Sequence, residues 1–114
     1  MEHWGHNAGT MSSATHNTAC SGGCSDVTVG ETTLVDYGTN FHVYSVVWTA
    51  EELRFLIDNE VKYRYNPSVK NNANWPYTKD QFIILNVAMG GDWFNIDPNF
   101  TASIMEIDYV RVYQ

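Results

Sequence analysis

Carboxylate side chains beside aromatic or polar neighbours are the residues of this sequence that could do chemistry. Glu2 precedes His3 and Trp4, and such a position suits a proton donor because an apolar neighbour disfavours the charged form of a carboxyl group. Taken alone, a glutamate so near the first residue is more often a solvated surface charge. Glu106 and Asp108 form a second pair, whose side chains would share one face of a strand.

Histidine and cysteine residues offer a different chemistry near the start of the chain. His3 and His6 have an H-x2-H spacing, and Cys20 and Cys24 could add soft ligands for zinc. No other segment has ligand spacing that supports such a site, so we do not predict one. The Gly-rich spacing of Cys20 and Cys24 instead favours a short disulfide, as in secreted proteins, with a pair of reduced thiols as the alternative.

Composition narrows the class of partner. The chain contains four Trp, seven Tyr and five Phe, which could fill a core or contact the flat apolar faces of sugar rings. Its net charge is −7 and Lys and Arg are scattered singly, so it lacks the basic stripe that nucleic acids require. An anionic membrane surface is disfavoured for the same reason. We therefore expect a neutral or cationic partner, with no nucleic acid and no membrane.

The length of the chain suits one domain, and its start is unusual for a secreted protein. No apolar run reaches the roughly 18 residues that a membrane span needs. Residues 1–20 are polar and do not have the pattern of a signal peptide. A secreted, extracellular location, which the two cysteines favour, therefore predicts that the leader is absent from this chain and that the chain begins partway through a longer protein.

Short strands must position the candidate side chains. β-Branched and aromatic residues alternate between turn signals and helical periodicity is nearly absent, which favours an all-β sandwich. Asp58 and Asn59 tolerate the left-handed backbone of a tight turn, so the strands on either side should form a hairpin. Trp48 lies within an apolar strand and is expected in the core. Strands are predicted at 12–16, 31–37, 41–49, 53–57, 61–65, 82–89 and 103–113, and loops at 67–76 and 92–102.

Several segments, in the same order along the chain, resemble glycoside hydrolase family 16, the laminarinase-like enzymes. Residues 1–5, Met-Glu-His-Trp-Gly, resemble the end of that family's active-site strand, whose motif reads Glu-x-Asp-x-Met-Glu. The resemblance covers essentially the whole chain. The other segments that carry it are FHVY at 41–44, VWT at 47–49, RFLID at 54–58, FIILNVAMGGDW at 82–93 and DYVRVYQ at 108–114.

The resemblance implies both a fold and a reaction. The fold is a concanavalin A-like jelly-roll β-sandwich, of which residues 1–114 would be a single partial domain, the C-terminal half. The reaction is retaining hydrolysis of β-1,3-glucan or mixed-linkage β-1,3/1,4-glucan, which needs two carboxyl groups about 5–5.5 Å apart. By position Glu2 matches the catalytic acid/base, and Met1 matches a bulge residue that returns Glu2 to the catalytic face. The nucleophile would precede Met1, so we expect the chain alone to be inactive.

Further roles are predicted beside that of Glu2, some from the resemblance and some from side-chain chemistry. Asp108 resembles a structural Ca²⁺ ligand whose other ligands would come from the N-terminal half, and no catalytic cofactor is implied. His16 resembles a cleft residue that bonds to sugar or to Glu2, the alternative being a loop histidine without a task. Sugar contacts are predicted at Trp4, Trp75 and Trp93, through stacking of a glucose ring on the indole, and at Asn86, which could instead satisfy the backbone.

Three functions stay open at this point. The chain is part of a β-glucan hydrolase, or a non-catalytic module that binds β-glucan, or a structural sandwich without a ligand. Glu2 with Trp4 favours the enzyme, whereas the missing nucleophile favours the binding module. Half a sandwich would expose strand edges and a core face, so we expect the N-terminal half or another copy of the chain to complete the sheets.

Overall fold

The computed structural model describes residues 1–20, 29–91 and 95–114. They fall into two compact units, Met1–Asp80 and Gln81–Gln114. All strands of the described residues lie in the first unit, and these residues contain no helix. The all-β prediction is therefore confirmed, while the single partial domain over 1–114 stays a prediction.

The first sheet holds the start of the chain. It has the order β1 (Glu2–His3), β2 (Thr10–Ala14) and β3 (Val29–Thr33), with both pairs antiparallel. Gly9 ends the turn before β2 at φ 80°, a left-handed conformation that favours glycine. The strand predicted near 12–16 is confirmed with an earlier start.

The strand predicted at 31–37 ends sooner than its apolar pattern indicated. β3 stops at Thr33, because the backbone turns where the N–H groups of Thr39 and Asn40 donate to the Asp36 carbonyl oxygen at 3.0 and 3.1 Å. The side chain of Asn40 also donates to Asp36 Oδ2 at 2.9 Å. Local hydrogen bonds of this kind compete with a sheet ladder, which accounts for the shorter strand.

The second sheet is a three-stranded meander that confirms the predicted hairpin. Its order is β4 (Tyr44–Trp48), β5 (Leu53–Ile57) and β6 (Glu60–Tyr65). The turn between β5 and β6 has Asp58 at φ 51° and Asn59 at φ 67°, as their residue types predict. A register shift between Phe55 and Leu56 leaves Lys62 of β6 as the extra residue of a bulge.

The core of the first unit lies on one face of this meander. Alternate residues of β5 are buried, and two of them, Leu53 and Phe55, pair with the buried tyrosines of β6. The segment after β6 folds back so that an indole stacks on one of those tyrosine rings with centroids 5.9 Å apart. The cluster consists of Leu53, Phe55, Tyr63, Tyr65 and Trp75, with Tyr77 packed against it.

The two sheets meet closely at Gly30 of β3. A Cβ built on Gly30 would lie 2.6 Å from Cδ2 and 2.7 Å from Cβ of Tyr63 in β6, so no larger residue fits without displacement. Ser13 is the cross-strand partner of Gly30, and Met11 lies two residues before Ser13, so the three residues share this face. The face of the first sheet that carries Gly30 is therefore its inner face.

Two predicted strands and one predicted core residue need correction. The described residues over 81–91 and 95–114 form no strand, and apolar side chains such as Ile84 (67% exposed) and Val112 (70% exposed) are open to solvent. The predicted strands at 82–89 and 103–113 are not formed, because among the described residues of this unit no segment pairs with them. Trp48, expected in the core, is 47% exposed. Its β4 neighbours Tyr44 and Val46 share its face and are also exposed.

No helix in the described parts of the chain is long and apolar enough to cross a bilayer.

Candidate active site

Register places three polar side chains in one row across the first sheet. Glu2 pairs with Ser12, and Ser12 pairs in turn with Glu31. Directly opposed residues of antiparallel strands project to the same side of a sheet. Thr10 and Thr33 form a second pair on that side, two residues along. We call these five residues the Glu2 face.

The Glu2 face is the outer face of the first sheet. Gly30 lies next to Glu31 in β3 and projects to the opposite side, where it meets Tyr63. Glu2 and Glu31 are both exposed, whereas Ser12 between them is only 5% exposed. The sheet therefore presents two open carboxylates to solvent, with a buried hydroxyl group between them.

Trp4 is fixed beside this row by a hydrogen bond. Its indole Nε1–H donates to Ser12 Oγ at 3.0 Å, so its side chain reaches the face on which Glu2 lies. The ring is half-buried and meets His6 edge to face, with centroids 5.8 Å apart. A carboxylate and an indole at one open surface can exchange a proton with a bound ligand and support its apolar face.

The backbones that carry the two carboxylates of the Glu2 face are farther apart than the carboxyl groups of a retaining pair. Glu2 and Glu31 lie on strands separated by β2, so their backbones are about 10 Å apart. Retaining glycosidases hold their carboxyl groups at about 5–5.5 Å. The register therefore does not place Glu31 directly beside Glu2, and we take Glu2 as the candidate catalytic carboxylate of the first sheet.

Trp75, predicted to be a sugar platform, belongs to the core instead. Its side chain is 6% exposed, stacks on Tyr65 and meets Tyr77 edge to face at 5.3 Å. The Lys70 ammonium group lies 4.9 Å from the ring centroid. This correction has a clear physical cause, because the polar loop over 67–76 folds its single large aromatic residue inward, where it gains apolar contacts.

His16 lies just beyond β2 and is exposed. Its backbone carbonyl oxygen accepts a hydrogen bond of 3.1 Å from the Tyr77 hydroxyl group.

Cys20, four residues after His16, is buried and disulfide-bonded. Its predicted partner Cys24 lies outside the described residues, so the pairing of the two stays a prediction.

The remaining predicted site residues lie in the second unit or outside the described parts. Asn86, expected on a buried strand, is exposed and belongs to no strand. Asp108 is also exposed, and Trp93 lies outside the described residues. Among the described residues, no group of three or more His, Cys, Asp or Glu side chains is arranged so that it could hold a metal ion. They do not by themselves form the set of oxygen ligands that Ca²⁺ requires, and the calcium prediction for Asp108 stays untested.

A buried histidine between two aspartates is a feature that sequence analysis missed. The His42 side chain is 8% exposed, and its Nδ1 lies 2.7 Å from Asp58 Oδ2. Its Nε2 lies 3.3 Å from Asp36 Oδ1, close but not aligned for a hydrogen bond. Asp58 Oδ1 also accepts the Val43 N–H at 2.9 Å. No spacing rule signals this cluster, because its members come from the turn after β3, the segment before β4 and the turn between β5 and β6.

These contacts shift the pKa values in opposite directions. The hydrogen bond to Asp58 raises the pKa of His42 above its ordinary value of 6.5, and the nearby Asp36 charge adds to that effect. The same hydrogen bond lowers the pKa of Asp58 below 3.8, while the Asn40 side chain is the main cause of the lowered pKa of Asp36. The cluster therefore favours an imidazolium ion between two carboxylates.

The stability of the first unit is expected to fall above neutral pH because of this cluster. A raised histidine pKa stabilises the fold fully below the unfolded value of 6.5, and that contribution is lost as the pH rises through the folded value. The lowered pKa values of Asp36 and Asp58 stabilise the fold above pH 3.8, and that contribution is lost only in acid. Thermal melts should show a larger drop in melting temperature from pH 6 to pH 8.5 for wild type than for His42→Gln. His16→Gln, at an exposed histidine, should keep the wild-type drop, and equal drops in all three proteins would contradict the assignment.

Comparison with known proteins gives one family. The model of the glycosyl hydrolases family 16 matches residues 1–111. The chain is 31% identical over 122 aligned positions to a beta-glucanase of Rhodothermus marinus, and 33% identical over 90 positions to glucan endo-1,3-beta-glucosidase A1 of Niallia circulans. The crystal structure of a laminarinase from Flavobacterium sp. UMI-01 is similar with a TM-score of 0.61 and 29% identity.

These matches cover most of this chain and a minor part of each relative. The alignments include 100% of the chain and 43% of the Rhodothermus protein, and 68% of the chain and 13% of the Niallia protein. The structural alignment covers 66% of this chain and 32% of the laminarinase. The chain therefore spans less than half the length of the curated relatives that it matches here.

Proposed function

The chain belongs to the glycosyl hydrolases family 16, and from that premise we propose that the protein containing it hydrolyses β-1,3-glucan of the laminarin type, or mixed-linkage β-1,3/1,4-glucan, by a retaining mechanism. The fold is that family's jelly-roll β-sandwich, of which the chain provides a part. The names of three similar proteins, a beta-glucanase, a glucan endo-1,3-beta-glucosidase and a laminarinase, support the choice of substrate.

The observation that carries the proposal is the position of Glu2 on the open outer face of the first sheet. Its carboxyl group is exposed, and the indole of Trp4 is held by Ser12 on the same side. In our proposal Glu2 protonates the glycosidic oxygen as the bond breaks, and then takes a proton from the water that releases the sugar. Trp4 supports the ring of a neighbouring sugar unit.

The nucleophile is proposed to come from sequence preceding Met1. A retaining reaction passes through a covalent glycosyl-enzyme intermediate on a second carboxylate, about 5–5.5 Å from the first, and Glu31 lies two strands away from Glu2. The half-exposed apolar side chains of Tyr44, Val46 and Trp48 on one face of β4 support the same proposal. Apolar sheet faces of this kind are normally covered by further strands or by another copy of the chain.

The proposal is tested by laminarin hydrolysis. We expect the 114-residue chain alone to release no reducing ends, and the protein extended by its upstream coding sequence to release them. Proton NMR of the first product should show the β-anomer, as retention requires. Release of the α-anomer would overturn the retaining mechanism, and an extended protein that folds but cleaves no β-glucan would overturn the enzyme proposal.

A non-catalytic glucan-binding module is the second candidate. Glu2 is the one carboxylate among the described residues that we assign to catalysis. This favours a binding module, because binding needs no nucleophile. The two functions separate in the extended protein, where a binding module would change its tryptophan fluorescence with laminarin and release no reducing ends. Absence of both signals would leave a structural sandwich.

Three further properties remain proposals. We propose a secreted, extracellular location, supported by the disulfide at Cys20, because disulfides persist in oxidising compartments. We propose Asp108 as one ligand of a structural Ca²⁺ ion completed by residues outside the described ranges. We also keep Trp93 and Asn86 as proposed sugar contacts, and His16 as a cleft residue.

A further inference from the structure

Glu31 is the one charged member of the Glu2 face to which the proposed reaction gives no role. It is exposed, and it shares the row of Glu2 through Ser12. We propose that Glu31 is a specificity-determining residue, whose carboxylate accepts hydrogen bonds from hydroxyl groups of a sugar unit distant from the cleaved bond. This proposal rests on the proposed glucan hydrolysis and deepens it.

The surroundings of Glu31 do not explain a carboxylate at this position. Among the described residues, its side chain makes no ion pair and no hydrogen bond, in contrast to Glu52, which pairs with Arg54 and Arg64 at 3.0 and 2.9 Å. Glu is also a weak strand former compared with the β-branched residues at neighbouring positions of β3. A carboxylate that neither pairs nor favours its strand is available for a ligand.

The direction of the row fits a chain-like polyhydroxyl ligand. Glu2 and Glu31 lie on strands about 10 Å apart, measured across the sheet. A glucan that crosses the strands and places its cleaved bond at Glu2 would therefore bring a more distant sugar unit over Glu31. The exposed hydroxyl group of Thr33, two residues along β3 on the same face, adds a second hydrogen-bonding group for that unit.

Chemistry favours a carboxylate for this contact. Sugar hydroxyl groups donate well to a charged acceptor, and a hydrogen bond to a charged group is stronger than one to a neutral group. The contact is made only by substrates long enough to reach β3. Glu31 should therefore affect the binding of long chains and leave the chemistry at the cleaved bond unchanged.

A chain-length series tests the proposal in the extended protein. Values of kcat/KM are measured on β-1,3-linked glucose oligosaccharides, from the shortest that is cleaved up to long chains, for wild type, Glu31→Ala and Glu31→Gln. For Glu31→Ala we expect unchanged values on the shortest substrate and a loss of about tenfold or more on long ones. Glu31→Gln keeps an acceptor and should lose less.

Glu51→Ala is the matched control, since Glu51 is an exposed glutamate in the turn between β4 and β5. It should match wild type at every length. Equal loss at all lengths for Glu31→Ala, or no loss at any, would overturn the proposal. If wild type cleaves no oligosaccharide, the proposed hydrolysis fails. In that case, affinities for the same oligosaccharides are measured by calorimetry. The proposed role of Glu31 is wrong if Glu31→Ala binds long chains as tightly as wild type does.

Discussion

Replacement of Glu2 by Gln in the extended protein is expected to lower kcat on laminarin by about 10²–10⁴-fold, the range typical of a lost general acid. The amide cannot supply the proton that the departing sugar oxygen needs, yet it has nearly the same shape as the carboxyl group. Folding should be unaffected, because Glu2 is exposed and lies in a strand of two residues. Reducing-end release at saturating laminarin gives the measurement.

Glu51→Gln is the appropriate control for this substitution. It makes the same chemical change at an exposed glutamate outside the first sheet, and it should retain wild-type kcat. If both Glu2→Gln and Glu51→Gln keep wild-type turnover, Glu2 has no part in proton transfer and the candidate site is wrong.

Replacement of Trp75 by Ala is expected to destabilise the first unit by about 3–5 kcal/mol, as is typical of deleting a buried large aromatic side chain. The indole is 6% exposed and packs against the rings of Tyr65 and Tyr77. Its loss would also free the loop that Tyr65 holds through a 2.9 Å hydrogen bond from its hydroxyl group to the Asn74 carbonyl oxygen. Urea unfolding of wild type and variant measures the difference.

Trp48→Ala is a matched comparison for Trp75→Ala. The Trp48 side chain is 47% exposed in the described unit, although its Nε1–H donates to the Tyr77 carbonyl oxygen at 2.9 Å. We expect a smaller loss of stability than at Trp75. A Trp75→Ala protein as stable as wild type but unable to bind laminarin would reinstate Trp75 as a sugar platform and contradict its place in the core.

Local features were the part of the fold that sequence analysis predicted well. The hairpin of β5 and β6 follows from alternating apolar residues and from Asp58 and Asn59, whose left-handed backbone is a property of the residues themselves. β5 has the predicted bounds, and β6 begins one residue early. Such features need no knowledge of distant parts of the chain.

Features that depend on distant partners were predicted less well. Trp75 lies in a polar loop, and only its contact with Tyr65 makes it a core residue. The strands expected at 82–89 and 103–113 have suitable residues, but a strand also needs a neighbour to complete its hydrogen bonds, and the described residues of that unit provide none. The apolar side of β4 is exposed for a related reason, since propensity cannot tell which element covers a face.

One part of the candidate site was predicted from the resemblance, and the other part had no signal in the sequence. Glu2 and Trp4 were singled out from the first five residues, and the structure brings both to one face through Ser12. Glu31 reads in the sequence as an ordinary solvated charge. Only the register of β2 and β3 places it in the row of Glu2, and register depends on pairing between segments far apart in sequence.

The dependence of Glu2→Gln on the leaving group tests the central claim most directly. A departing phenol with a low pKa needs little protonation, whereas a sugar hydroxyl group needs a proton donor. We expect Glu2→Gln to keep its first step on activated aryl β-glucosides of suitable length and to lose turnover on laminarin. An equal loss of kcat/KM on both classes of substrate would contradict the role of Glu2 as the proton donor.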